Sequence, residues 1–231
     1  MSTPKKPFRF LLVILFTTIL VLANHACKKD QGEDPQPPVT DIDGNVYETV
    51  KIGSQVWMKE NLKTTKYRNG DLIPNVTNWT PWLIATEGAF CHYENVASWT
   101  DTYGLLYNWF AVNDSRQLCP TGWHVPTKNE WNTLVNFAGG ENEAGNRLKE
   151  QGTVHWNGPN TGASDTYGFT AIPGGYRTGA FNSPGYYAIW WSSTSESPED
   201  SWILTLIANN SNAYIERQGN IAGHSVRCVK D

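Results

Sequence analysis

The chain has 231 residues, with 18 Lys and Arg against 22 Asp and Glu, a formal charge of −4. No basic run occurs past its first residues and the short tract near residue 28, so it lacks the clustered basic face that nucleic-acid binding requires. Aromatics make up 13% of the chain, and all 11 Trp lie after residue 40, which concentrates large core-forming side chains in one stretch.

Lys5, Lys6 and Arg9 form a positive start, and Phe10 to Ala23 (FLLVILFTTILVLA) is an apolar run of signal-peptide length, about 7–15 residues. It is short of the roughly 17–25 residues of a membrane span. Three fates are open for this leader. Lipoprotein processing would cut before Cys27, removing residues 1–26 and acylating the cysteine sulfur. Ordinary signal peptidase would cut after Ala23, using Val21 and Ala23 as small residues. The leader would otherwise stay as an uncleaved anchor. Asn24-His25-Ala26-Cys27 resembles a lipobox at Ala26 and Cys27 and departs from it at Asn24, where an aliphatic residue is usual. Lipidation at Cys27 is the leading expectation, and with it an outer-membrane lipoprotein facing the periplasm or the cell exterior. Lys28-Lys29-Asp30, with Glu33 and Asp34, resembles charged surface-display signals and equally suits a soluble spacer.

Residues 27–40 read as a disordered tether. They are polar, charged and proline-bearing, and cannot bury enough to offset their ordering entropy. Extended at about 3.1 Å per residue, such a segment reaches on the order of 40 Å. Residues 41–231 then form a single domain, long enough for a sizeable core.

Within the domain, Asp43-Gly44 turns the chain before short strands at Asn45–Lys51 and Gln55–Lys59. Thr102–Val112 (TYGLLYNWFAV) has helical apolar spacing, interrupted by Gly104. Thr127 with Glu130 makes a capping box. The helix it opens buries Trp131, Leu134, Val135 and Ala138 and stops near Gly139-Gly140. Asn142–Gln151 reads as a further helix. Strands are expected at Ala188–Ser192, Ser201–Ile207, Ala213–Arg217 and Ser225–Lys230. Helices first and strands later predict an α+β, loop-rich domain rather than a wound parallel sheet.

Five segments carry a resemblance. Residues 41–71, YGLLYNWFAV (103–112), CPTGWHVPTKNEWNTL (119–134), GGYR (174–177) through WWSST (190–194), and HSVRCVKD (224–231) resemble, in order, the Fibrobacter succinogenes major paralogous domain. The family is common in lipoproteins, which agrees with the reading of Cys27. More distantly, GWHVPTKNEW (122–131) and SVRCV (225–229) are similar to segments of the formylglycine-generating enzymes, whose α+β fold is related to that of C-type lectins. That plan implies a bridge between Cys119 and Cys228, leaving Cys91 as a buried thiol. Three reduced, buried cysteines are the alternative. The copper-holding cysteine pair of those oxidases is missing, because only Cys228 stands near the C-terminus.

The candidate chemistry is sparse. His92, His124, His155 and His224 form no HExxH motif, and no nucleophile elbow or phosphate loop occurs. Asp41, Asp43 and Asn45 resemble half of a calcium loop, for which a turn is the stronger account. Glu196, Glu199 and Asp200, with Asn209 and Asn210 nearby, are a weak Ca²⁺ candidate; no other cofactor is expected. Trp57, Trp109, Trp123, Trp131, Trp190 and Trp202 sit on periodic elements and are read as core. Trp79, Trp82, Trp99, Trp156, Tyr186 and Tyr187 sit in polar loops, where they either pin the loops to the core or meet a ligand; they are the ligand-binding candidates, since aromatic faces stack on sugars and anchor protein partners. A non-enzymatic envelope domain binding a glycan or a protein follows. An enzyme using Glu196, Glu199 or Asp200 and a ligand-free scaffold are the rivals.

Overall fold

The computed structural model describes residues 1–3 and 36–231. Most of the expected leader, Cys27 and the tether up to residue 35 lie outside the described residues. The first strands are β1 (Val39–Thr40), β2 (Val46–Tyr47), β3 (Thr49–Ile52) and β4 (Gln55–Met58). The middle of the chain holds the helical turn α1 (Trp79–Leu83), β5 (Phe90–Cys91), α2 (Thr100–Tyr103), β6 (Leu106–Tyr107), α3 (Trp109–Val112) and β7 (Trp123–His124). Next come α4 (Lys128–Phe137) and α5 (Glu141–Leu148), then β8 (Tyr176–Arg177), β9 (Phe181–Asn182), β10 (Tyr187–Ser195), β11 (Asp200–Ile207), β12 (Ala213–Gly219) and β13 (Val229–Lys230). The domain is α+β and rich in loops, with several small sheets.

The helix expected over 102–112 is broken into three pieces. Gly104 sits at φ +76°, and a Cβ there would meet the Asn61 side chain and the Leu62 carbonyl. The chain therefore leaves α2, pairs β6 with β5, and restarts at Asn108, whose side chain caps α3 by accepting from the Ala111 N–H. The strand expected over 225–230 shrinks to β13, because the residues before it bond to three different partners in turn. By contrast, α4 opens with both halves of the capping box in place and buries Trp131, Leu134 and Val135, with Ala138 just beyond its end.

The C-terminal segment runs through the centre of the domain. His224 exchanges backbone bonds with Tyr107, and Ser225 bonds to Ile189 and Trp191 on β10. The Val226 carbonyl accepts from Leu62 and the Cys228 carbonyl from Met58. Val229 then pairs with both Trp57 and His124, placing β13 between β4 and β7 in the sheet β3-β4-β13-β7. This path brings Cys228 against Cys119, and the two form a disulfide with Cα atoms 6.0 Å apart. Cys91 is a buried free thiol, which burial pushes up to about 11.

Arg227 is wholly buried on this segment. Asn61 Oδ1 accepts from Arg227 Nε at 3.2 Å and Nη2 at 2.9 Å, and from Trp190 Nε1 at 2.7 Å. Arg227 Nη1 donates to the Phe169 carbonyl, and its guanidinium lies 4.4 Å from the Phe169 ring centre. Burial pulls its proton affinity down to about 9, opposed by the charges of Glu60 and Asp165, so it stays protonated at neutral pH.

The second sheet is the antiparallel meander β10-β11-β12. One face, carrying Ala188, Trp190, Leu204 and Leu206, packs with Trp131, Leu134, Ala144 and Leu148 of the two main helices. Trp131 stacks on Trp57 at 4.7 Å. The other face, carrying Ile189, Trp191 and Ile203, packs on Tyr107, Trp109 and Val226. Trp57, Trp109, Trp123, Trp131 and Trp190 are core, as expected. Trp202 is not: it occupies the helix-facing side of β11 but is only half-buried, with the Lys128 ammonium at the start of α4 over its ring.

Three outcomes follow. Asn61→Ala strips Arg227 and Trp190 of their shared acceptor and lowers urea-melt stability by on the order of 3 kcal/mol. Cys228→Ser opens a loop of 109 residues and costs up to about 4.7 kcal/mol. His224, buried with neither ring nitrogen bonded, has its pKa pulled down to about 3 by desolvation. The unfolded chain binds that proton near 6.5, so stability is complete above that pH and falls on acidification toward 3. Urea midpoints measured across this window should slope less steeply in His224→Leu than in the parent.

Candidate functional site

The loop aromatics separate by burial. Trp82 and Trp156 are fully buried, which gives them the loop-pinning role and not ligand contact. Trp82 Nε1 donates to the Ile221 carbonyl at 2.7 Å, and Trp156 Nε1 to the Ala171 carbonyl at 2.8 Å. Each satisfied indole pins a loop to the core. Trp99 is half-buried and stacked on Tyr93 at 5.5 Å, while Tyr93 meets Phe181 edge-on at 5.4 Å. Trp99 also tilts against Tyr103 at 6.0 Å. Tyr186 and Tyr187 meet at 5.0 Å, and Tyr187 packs on Tyr176. These rings use much of their surface on one another. Trp79, 48% exposed, lies directly over Gly179, where any Cβ would strike the indole.

The acidic candidates are also committed locally. Glu196 Oε2 accepts from Trp202 Nε1 at 2.9 Å, and its other oxygen lies 3.9 Å from Arg217. Glu199 and Asp200 donate their N–H groups to the Ser197 hydroxyl in a tight turn. Among the described residues no three His, Cys, Asp or Glu side chains are grouped as candidate metal ligands. The loop of Asn209 and Asn210 stands at the other end of β11 from that turn and is filled by the buried Lys149. Its ammonium donates to the carbonyls of Ile207 at 3.0 Å and Asn210 at 2.8 Å, and more weakly to Thr161 and Ala208.

Asp41 and Asp43 are turn residues. Asp41 accepts from the N–H groups of Asp43 and Asn45, from Asn45 Nδ2, and from the Tyr47 hydroxyl at 2.6 Å. Asp43 accepts from Thr64 and Thr65 and pairs with Lys66 at 2.9 Å. These donors stand where a cation would otherwise sit.

His124 is held between Glu130 at 2.8 Å and Asp231 at 2.6 Å, tying the C-terminus to the start of α4. The Glu130 bond raises its pKa above the usual histidine value, so this clamp is strongest with the imidazole protonated and weakens as pH rises. His155 bonds Glu150, and His92 bonds Thr100.

A groove of about 410 Å³ lies between α4 and β12. Lys128, Asn132, Val135 and Asn136 form the helical wall, Ala213 to Glu216 the strand wall, with Glu141 and Trp202 completing it. Trp202 is held by its indole bond to Glu196 and stands directly across from Arg217 in the β11–β12 register. The ammonium of Lys128 lies 3.1 Å from the Trp202 ring centre. Cation–π contacts of this kind contribute about 0.5–1 kcal/mol at exposed sites, weak enough for a ligand to displace. Spacing of four along α4 sets Lys128, Asn132 and Asn136 on one face. An aromatic plane beside amide and charged groups is the chemistry of sugar recognition: the ring takes apolar C–H edges and the amides take hydroxyls.

Sequence periodicity hid this site. Trp202 alternates with Leu204 and Leu206 and so reads as core. The signal available was its place at the head of the strand, straight after the polar run SESPED (195–200). Two smaller cavities flank Arg68, whose guanidinium is spent on the carbonyls of Cys119, Pro120 and Trp123.

Comparison with curated proteins and with solved structures returned no match. The family model described as Fibrobacter succinogenes major domain matches residues 50–230, from the first four-stranded sheet to its last strand, and the chain belongs to that family.

Proposed function

We propose that this protein is a lipid-anchored cell-envelope domain that binds a glycan without turning it over, using the groove between α4 and β12. The observation that carries the reading is Trp202. A large aromatic ring stays half-buried in this groove, braced by Glu196 and flanked by Asn132 and Asn136. Pockets of this size hold small polar ligands when a few convergent polar groups orient them. Trp79 and Trp99 are secondary candidates, since each keeps part of its ring in solvent.

The anchor belongs to the same proposal. Acylation of Cys27 would hold the domain at the outer membrane, on a spacer long enough to present the groove to glycans of the envelope or of its surroundings. A single acyl chain binds membranes only marginally, so stable anchoring requires the multiple chains of a processed lipoprotein.

Two measurements test this. Mass spectrometry of the membrane form should show Cys27 as an acylated N-terminus; an unmodified N-terminus at Asn24 would sink the anchor. A glycan-array screen of the full chain in detergent should yield binders whose signal is unaffected by EDTA and drops at least tenfold in Trp202→Ala. Silence against every glycan, with and without EDTA, would leave the scaffold reading in place of this one.

A further inference from the structure

Resting on the glycan reading, we infer that the groove selects acidic saccharides and that Lys128 is its specificity-determining residue. Several cations of the domain have found partners. Lys66 pairs with Asp43, Lys63 with Asp101, and Arg116 with Asp71 and Asp114. Arg68, Lys149 and Arg177 are spent on backbone carbonyls. Lys128 rests its head on the Trp202 ring inside the groove, and among the described residues no ion pair holds it. Arg217, opposite Trp202, adds a second cation to this end, balanced in part by Glu196.

That arrangement treats neutral and acidic sugars differently. A neutral ring stacking on the face that Lys128 covers must lift the ammonium away and gives it nothing in return. A uronate offers its carboxylate to the displaced ammonium in a charge-assisted bond while its apolar face takes the indole. The remaining acidic residues of the groove do not cancel this preference. Glu216 alternates with Ile215 and Arg217 along β12 and so turns to the opposite face of the sheet. Glu141 lies past the far end of α4, roughly 12 Å along the helix from Lys128 to Asn136 and then beyond the turn. It gives the groove a polarity, with the carboxylate end of a ligand at Lys128 and its hydroxyl-rich end along Asn132 and Asn136.

The test is calorimetric titration of the full chain in detergent with trisaccharides of galacturonate, glucuronate and mannuronate, each against its neutral counterpart of the same linkage. The parent should bind at least one uronate tenfold or more tightly than its neutral partner, with affinity falling as salt is raised. Lys128→Met should erase that ratio by lowering uronate affinity tenfold or more, with the fold intact by thermal melt, and Trp202→Ala should remove binding of both kinds of sugar. A ratio that survives in Lys128→Met, or neutral sugars binding more tightly than uronates, would overturn the selectivity and leave the glycan reading standing. Absence of binding by all six trisaccharides, joined to silence on the array, would overturn the glycan reading itself.

Discussion

Everything in this domain is arranged around a buried guanidinium. Arg227 lies on the segment that threads the centre, and its charge is satisfied by one amide oxygen, one carbonyl and two aromatic faces. Asn61 is the hub, because the oxygen that serves Arg227 also holds Trp190, while its amide nitrogen donates to the Tyr103 carbonyl. A desolvated cation leaves little freedom to its surroundings: each partner must stay in place or the charge is stranded. Through Asn61 this constraint reaches the early strands, through Trp190 the long meander, and through Phe169 the loop beneath α5.

The same threading explains how so irregular a chain stays ordered. Backbone ladders are short, and indoles take over part of their work. Trp82, Trp109, Trp131, Trp156 and Trp191 each donate Nε1 to a backbone carbonyl distant in sequence. A ring that fills volume and also ends a hydrogen bond fixes a loop more firmly than an aliphatic side chain can. Trp202 departs from this pattern. Its indole bonds a half-exposed carboxylate in the β10–β11 turn, which orients the ring. The groove lies beside the first turn of α4, where Trp202 stands opposite Arg217 in the meander and under the Lys128 side chain.

Much of the fold was legible in the residues. The Thr127–Glu130 capping box, the buried face of α4 and the three long strands follow from local chemistry and period, and the family resemblance implied the Cys119–Cys228 bridge. What escaped was set by distant contacts. Gly104 reads as a weak point in a helix, but only its approach to Asn61 and Leu62 shows that the helix must break there. Residues 225–230 look like one strand, yet their bonding alternates among partners that no periodicity encodes. Trp82 and Trp156 look like loop residues because their neighbours are polar, and burial came from carbonyls more than a dozen residues away. Trp202 shows the reverse error, since alternation tells which face a residue takes and not how completely that face is covered.

The account turns on Trp202 as the point of ligand contact, and indole ¹⁵N–¹H spectra of the full chain test it most directly. The 11 Trp should give separable Nε1 signals. On addition of a glycan that binds, the Trp202 signal should move most, with those of the carbonyl-bonded Trp82, Trp131, Trp156 and Trp191 unchanged. Movement of Trp79 or Trp99 with Trp202 still would contradict the account and transfer the site to the loop aromatics.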